Sequence, residues 1–151
     1  MILIGIDPGS VSGAYALVDH QLRILDVDDL PVANRQVDAA EFARIVRQFK
    51  PDAAVVEDVW AFPKQGVMSS FRFGVGVGII RGVLLGAGIP VSYVTPGKWK
   101  KAMGLNSEAE KSRDLAIRTW PTCRKLSRKR DHGRAEALLL AKYGHEDKGP
   151  F

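Results

Sequence analysis

The chain opens with a short apolar run, Met1–Ile6, that ends in a carboxylate at Asp7. An unbroken run of Ile and Leu of this length is typical of a strand buried on both faces. Pro8 and Gly9 then indicate a turn, and the apolar run Gly13–Val18 predicts a second strand paired back on the first. The looser alternation of residues 21–30 predicts a third antiparallel strand with its acidic residues directed outward.

Helical spacing replaces this alternation after a loop predicted at Pro31–Gln36. The apolar residues of Asp38–Lys50 recur every three or four positions and predict an amphipathic helix. Asp38 is a plausible N-cap, and Glu41, three residues later, would complete a capping box. The next apolar run, Ala53–Val56, predicts another buried strand, which also ends in an acid.

The second half of the chain predicts one further strand and four helices. These are a glycine-rich helix over 69–87, a strand over 89–94, a helix beginning near 95, a helix capped by Ser107 and running to about 120, and a last helix over 133–143 ended by Gly144. Gly78, Gly82 and Gly86 recur at every fourth position of the first helix. They form a flat stripe that favours close internal packing, with a dimer contact as the alternative.

The composition limits the domain count, the kinds of metal site and the location of the protein, but it indicates no specific chemistry. The 151 residues predict a single domain, 1–151, and the apolar (46%) and charged (26%) fractions are those of a soluble globular protein. The one cysteine, Cys123, excludes an intramolecular disulfide and a thiolate-built metal site. Because Asp7 interrupts the apolar start and no basic leader precedes it, neither a signal peptide nor a membrane span is expected there, and a cytoplasmic location follows.

Two buried strands that each end in an acid indicate a shared site. If the strands of Asp7 and Glu57 are parallel neighbours, their spacing of ~4.8 Å brings both carboxylates within reach of one ion. Open α/β sheets bind ligands at this carboxyl edge. The alternative for Asp7 is that it only closes a turn, since Asp-Pro-Gly is ordinary turn chemistry.

The last predicted helix contributes further candidates. Glu136 lies among apolar residues in its first turns, where a carboxylate is costly to bury unless it is paired, protonated or bound to metal. Asp131 and His132 precede it closely enough to face the same site. The metal-binding and catalytic candidates are therefore Asp7, Glu57, Asp131 and Glu136, with His132 in reserve. Hard oxygen ligands favour Mg²⁺ or Mn²⁺ over zinc.

Acidic clusters of this kind serve phosphodiester hydrolysis with two metal ions per site. The net charge of +5 is moderate, but its basic residues lie beside the acids, which indicates a polyanionic substrate. Trp60, next to Lys64, could stack on unpaired bases, or it could belong to a small hydrophobic cluster under its loop. The remaining candidates for DNA contacts are Lys98, Lys100, Lys101, Lys111, Arg128, Lys129, Arg130 and Arg134.

The order of these elements resembles the ribonuclease H-like fold, an α/β fold with a mixed five-stranded sheet of three antiparallel and two parallel strands flanked by helices. Within it, the chain resembles the RuvC-type Holliday junction resolvases, including their shorter phage and organellar variants. The most specific parts of the resemblance are the segments 5–9 (Gly-Ile-Asp-Pro-Gly), 55–57 (Val-Val-Glu) and 131–137 (Asp-His-Gly-Arg-Ala-Glu-Ala).

The resemblance implies a homodimer that nicks opposing strands of a four-way DNA junction symmetrically, with Mg²⁺. It assigns metal binding to Asp7, Glu57 and Glu136, and base stacking to Trp60. In the cellular bacterial enzymes the last two ligands are usually three residues apart and the last is more often Asp, but position 133 is Gly here. Asp131 or His132 would then supply the fourth ligand. Asp131 is favoured because a carboxylate bridges two hard ions, whereas His132 would bind one metal or carry a proton.

Three alternatives remain. The chain could be another ribonuclease H-like nuclease that acts on branched DNA or on RNA. It could be an ATP-binding domain of the actin and sugar-kinase type, whose phosphate loop also begins Gly-Ile-Asp, although such proteins need two domains. A junction-binding protein without catalysis is disfavoured, because the retained acids would penalise binding of an anion.

Overall fold

The computed structural model describes residues 1–9 and 13–146. In chain order the elements are β1 (Ile2–Asp7), β2 (Ala14–Asp19), β3 (Ile24–Asp29), β4 (Val32–Ala33), β5 (Gln36–Val37), α1 (Ala39–Phe49), β6 (Ala53–Glu57), α2 (Val67–Gly86), β7 (Val91–Val94), α3 (Pro96–Ala102), α4 (Ala109–Thr119) and α5 (His132–His145). Two single 3₁₀ turns, Arg124–Leu126 and Lys129–Asp131, connect α4 to α5.

The five long strands form one mixed sheet in the order β3-β2-β1-β6-β7. The first three strands along the chain pair antiparallel, and β6 and β7 are parallel to β1. This confirms the predicted sheet. The turn predicted after Asp7 includes Ser10, which lies outside the described residues. β1 and β6 are central and fully covered, which is why their sequences are almost continuously apolar.

Helices cover both faces of the sheet. α1 and α2 pack on one face around Phe42, Ile80 and Leu84, and α5 packs on the other face, across β1 and β2. The crossing of α5 over β1 is very close: a Cβ atom at Gly5 would lie 2.1 Å from the carbonyl oxygen of Ala137. Gly5 therefore lets the last helix lie directly on the central strand, which fixes where the helix side chains project.

Gly144 also permits close packing of α5 on β1, at the other end of the helix. It was predicted to end the helix, but α5 continues to His145, and a Cβ at Gly144 would lie 2.6 Å from Leu3 Cδ1. The prediction was wrong because this glycine permits close packing on β1 rather than a left-handed cap.

Three local predictions also need correction. The segment Pro31–Gln36 is not only a loop, because β4 and β5 form a short hairpin within it. Asp38 caps α1 through the backbone N–H of Glu41, but the Glu41 side chain pairs with Arg44 instead of completing a capping box. Ser107 does not cap α4, whose N-cap is Glu108 with no side-chain hydrogen bond.

The glycine stripe of α2 faces outward. A Cβ at Gly74, Gly78, Gly82 or Gly86 would meet no atom within 4 Å, so the prediction of internal packing was wrong for this stripe. The neighbouring Phe71 and Leu85 are also exposed, at 68% and 58%. By length and composition alone, α2 is the one helix among the described residues that could cross a membrane.

Candidate active site

Three carboxylates from distant parts of the chain meet at the carboxyl edge of the sheet. In the β1–β6 pairing Ile6 lies opposite Val56, so the next residues along each strand, Asp7 and Glu57, stand side by side. Glu136 reaches the same place from α5. One carboxylate oxygen from each residue lies within 4.8 Å of those from the other two, and all three side chains are buried.

Burial and mutual repulsion raise the proton affinity of this cluster. The pKa of Asp7 is raised to about 8, first by burial and then by the negative charges of Glu57 and Glu136. Burial also raises the pKa of Glu57, although a hydrogen bond from the indole of Trp99 opposes the shift. Clustered carboxylates that repel each other in this way are stabilised by a cation placed among them.

A lysine supplies part of that positive charge. Lys100, on α3, places its Nζ 2.7 Å from Glu136 Oε1, and its side chain is only 13% exposed. It also lowers the pKa values of Asp7 and Glu57 through its charge, against the larger effect of burial. Lys100 was predicted to contact DNA from its position in a lysine-rich segment; the structure brings it into the acidic cluster itself.

Two residues at this site were not predicted from the sequence. Trp99 is fully buried and its Nε1 donates to Glu57 Oε1 at 2.8 Å, which holds that carboxylate in place. A single apolar side chain among the lysines of α3 was the available signal, because it marks the inward face of the helix. Gly133 is the second: a Cβ there would lie 3.4 Å from Asp7 Oδ2, so this position borders Asp7 directly.

Asp131 is not brought into the cluster. It is 3% exposed, and its carboxylate accepts hydrogen bonds from the side chain and the backbone N–H of Arg128. These contacts lower the pKa of Asp131, although burial opposes them. Asp131 instead orders the turn that precedes α5, and its role as a metal ligand stays a prediction that this geometry does not support. His132, the first residue of α5, is exposed.

Arg134 was predicted to contact DNA, but its guanidinium is buried and paired inside the chain. Its Nε and Nη2 donate to Asp29 at 2.8 and 2.9 Å, and Nη2 lies 2.9 Å from Asp28. Because Asp28 and Asp29 end β3, this pair of contacts ties the first turn of α5 to the sheet. Arg134 is two residues before Glu136 and thus helps to fix the entry of that glutamate into the site.

The other residues predicted to contact DNA lie at the surface, some of them within ion pairs. Arg128 is held by Asp131, and Lys111 pairs with the exposed Glu108 at 3.2 Å. Trp60 is 75% exposed and Phe62 62% exposed, so the alternative of a packed hydrophobic cluster under this loop was wrong. The remaining exposed basic candidates are Lys64, Lys98, Lys101, Lys129 and Arg130.

The donor set fits hard divalent cations. Three carboxylates that converge from a rigid sheet edge and a packed helix supply only oxygen ligands, which Mg²⁺ and Mn²⁺ prefer. Three carboxylates face one lysine, Lys100, so a cation would balance charge that the lysine alone does not offset. A cation held here would lie at the carboxyl edge of the sheet, where α/β sheets bind their ligands.

Comparison with known proteins agrees with this chemistry. Residues 3–119 match the family model described as crossover junction endodeoxyribonuclease RuvC. The match ends before α5, so it covers Asp7 and Glu57 but not Glu136.

Two curated relatives carry the same description. The chain is 30% identical over 151 residues to RuvC of Photorhabdus laumondii, covering 93% of this chain and 84% of the relative. It is also 30% identical over 114 residues to RuvC of Trichlorobacter lovleyi, covering 68% of this chain and 62% of that relative. The second alignment therefore spans less than two thirds of the relative's length.

Solved structures share the fold. RuvC of Thermus thermophilus, in complex with Holliday junction substrate, superposes with a TM-score of 0.72 at 21% identity over 96% of this chain and 94% of the other. The fowlpox virus Holliday junction resolvase superposes with a TM-score of 0.62 at 15% identity over 93% and 94%. These likenesses confirm the ribonuclease H-like α/β fold.

Proposed function

Because this chain belongs to the crossover junction endodeoxyribonuclease RuvC family, we propose that it is a structure-selective DNA endonuclease that resolves four-way (Holliday) junctions by paired, symmetric nicks. The observation that carries the proposal is the convergence of Asp7, Glu57 and Glu136 at one edge of the sheet. A DNA-binding protein without catalysis gains nothing from three buried acids beside its ligand, since they repel phosphate.

The family is metal-dependent, and in this proposal Asp7, Glu57 and Glu136 hold two Mg²⁺ ions, or Mn²⁺ in their place. Such a pair of ions, when bound, activates a water molecule and stabilises the leaving oxygen of the phosphodiester. Asp131 and His132 remain further candidates from the sequence. Gly133 lies beside Asp7, where a Cβ would come within 3.4 Å of Asp7 Oδ2, so the glycine keeps that carboxylate oxygen free of a side chain.

The chain's own residues prepare the site for this chemistry. The backbone N–H of Gly9 donates to Asp7 Oδ1 at 2.9 Å and the Trp99 indole donates to Glu57, so both carboxylates have fixed orientations. Lys100 offsets the charge of Glu136 while no cation is bound. With a cation held by the three carboxylates, the Lys100 ammonium would be available to bind a phosphate of the DNA strand.

Symmetric nicking requires two active sites, so we propose that the protein is a homodimer with α2 at the interface. The outward stripe of Gly78, Gly82 and Gly86, extended toward the start of the helix by Gly74, permits close approach of a second helix, and Phe71 and Leu85 beside it are exposed. Sedimentation of the purified protein would show twice the chain mass, and a monomer at micromolar concentration would contradict this arrangement.

We further propose a single domain, 1–151, that acts in the cytoplasm.

Trp60 supplies the aromatic group that the family places after its second acid. Replacement by alanine should weaken cleavage of a four-way junction about tenfold or more, because stacking on an unpaired base contributes about 1–3 kcal/mol. Binding to linear duplex DNA should change little, since paired bases are not available for stacking. Measuring both on the same preparation checks this expectation. Equal losses on junction and duplex would contradict a stacking role.

The proposed activity is tested by comparing three substrates with and without Mg²⁺: a mobile four-way junction, a linear duplex of the same sequence, and an RNA–DNA hybrid. We expect paired nicks in the junction alone, and only with the metal. Preferred cleavage of the hybrid would favour another ribonuclease H-like nuclease. Tight ATP binding without cleavage of any substrate would favour the actin and sugar-kinase alternative.

A further inference from the structure

A cleft lies between the β4–β5 hairpin and α2, with the residues that follow Asp7 at one end. Its volume is about 410 Å³, and Pro8 and Gly9, which directly follow Asp7, line one end of it. Arg35 from the hairpin and Arg72 from α2 line the other walls. Among the described residues, no acidic side chain lines this cleft. It therefore continues the active-site edge but has the opposite charge.

The hairpin holds Arg35 in a conformation that this residue type rarely adopts. Asn34 and Arg35 form the two-residue turn between β4 and β5, with φ of 52° and 61°. Turns of this kind favour Asn followed by Gly, because a residue with a Cβ is strained in the left-handed region. An arginine at the glycine position gives the turn no conformational advantage, so the strain indicates a use for the side chain.

Arg72 lies on the opposite wall, and the two walls are joined. The Gln36 side chain, next to Arg35, donates from Nε2 to the backbone carbonyl of Arg72 at 3.0 Å. Within residues 1–9 and 13–146, neither Arg35 nor Arg72 forms an ion pair, whereas Arg81, Arg128 and Arg134 all do. Two exposed arginines without an ion-pair partner among the described residues thus line one cleft.

We propose that this cleft binds a backbone phosphate of the DNA strand that passes the acidic cluster, with Arg35 and Arg72 as its donors. Arginine forks match the oxygens of a phosphate, and two of them on facing walls fit a polyanion better than a neutral ligand. Gly9 places the cleft two residues from Asp7, so a phosphate held there lies next to the group being cut. The inference rests on the proposed function and adds a phosphate site to it.

The test measures junction binding by the full chain without divalent metal, so that the DNA stays intact, over a range of salt concentrations. The variants are Arg35→Gly, Arg72→Gln and their combination. Arg47→Gln is the matched control: it removes one exposed arginine from the end of α1, which leads into the amino end of β6, away from the acids. Each lost phosphate contact should lower the slope of log affinity against log salt by about 1.

We expect the combined variant to lose about 2 units of slope and at least about tenfold in affinity, with Arg47→Gln close to the unaltered protein. Arg35→Gly should not lower the thermal midpoint, because glycine relieves the strained turn, so a loss of binding would not reflect unfolding. Slopes equal to that of the control, or a loss of affinity with no change of slope, would overturn the phosphate site.

Cleavage of the junction with Mg²⁺ is measured on the same proteins. If the unaltered chain and Arg47→Gln cut the junction while the cleft variants bind it with unchanged slope, the phosphate site is wrong and the proposed function stands. If the unaltered chain cuts no junction, the proposed function itself has failed.

Discussion

Asp7→Asn is expected to abolish metal-dependent cleavage, lowering the rate by at least about 10³-fold, while leaving junction binding intact. The asparagine keeps the shape of the side chain and its place beside Gly9, but it removes a carboxylate that lies within 4.8 Å of ligand atoms of both Glu57 and Glu136. Single-turnover cleavage and junction binding, measured on one preparation, separate the two effects. Full Mg²⁺-dependent nicking by this variant would remove Asp7 from the mechanism.

The same substitution should stabilise the protein when no metal is present. The pKa of Asp7 is raised from its ordinary value of 3.8 to about 8 in the folded chain, so its carboxylate destabilises the fold progressively as the pH rises through that window. Asparagine removes this penalty, and we expect a gain of about 1 kcal/mol or more in the free energy of unfolding at pH 8.

A matched control separates this effect from a general loss of charge. Asp114 is an exposed residue of α4 and is not part of the acidic cluster. Asp114→Asn removes one carboxylate without relieving the repulsion within the cluster, so the metal-free stability should be unchanged. Chemical denaturation with a chelator, at pH 6 and pH 8, is the measurement. A variant at Asp7 that is no more stable than the unaltered protein at pH 8 would contradict the repulsion inferred for the site.

Arg134→Ala is expected to lower the free energy of unfolding by about 2–3 kcal/mol. The substitution removes a buried guanidinium that joins the first turn of α5 to the end of β3 through Asp28 and Asp29. Because Glu136 lies two residues further along the same turn, cleavage should fall more than junction binding. Arg134→Lys keeps the positive charge but cannot make the paired hydrogen bonds of a guanidinium. Its free energy of unfolding should therefore lie between those of Arg134→Ala and the unaltered protein.

Arg118→Ala is the control for this prediction, because Arg118 is an exposed arginine on α4. It should leave unfolding and cleavage within experimental error of the unaltered protein. The opposite result for Arg134→Ala, an unchanged stability with a weaker salt dependence of junction binding, would restore the DNA contact that the sequence predicted.

The acids at strand ends were predictable because two simple patterns coincide. Runs of buried residues marked β1 and β6 as central strands, and each run ends in an acid, so parallel pairing alone brings Asp7 and Glu57 together. Glu136 was predictable because a carboxylate in an apolar helix needs a partner. The close crossing that delivers it depends on Gly5, whose part in packing cannot be derived from local sequence.

Pairing between side chains was the part that the sequence did not reveal. Asp131 has the residue type and position of a ligand, but Arg128 binds it within the same turn. Arg134 belongs to a basic segment, yet its guanidinium pairs with Asp29, which lies on a strand about a hundred residues earlier in the chain. A charged side chain can bind a ligand or pair with another side chain of the protein. Which of the two it does depends on the three-dimensional arrangement and not on the local sequence.

Asp7, Glu57 and Glu136 are proposed to bind divalent cations together. Anomalous diffraction from a crystal of the protein soaked in Mn²⁺ would locate such ions. We expect a manganese peak within about 2.5 Å of carboxylate oxygens from these three residues. Absence of a peak among them, with manganese bound at Asp131 or His132 instead, would contradict it.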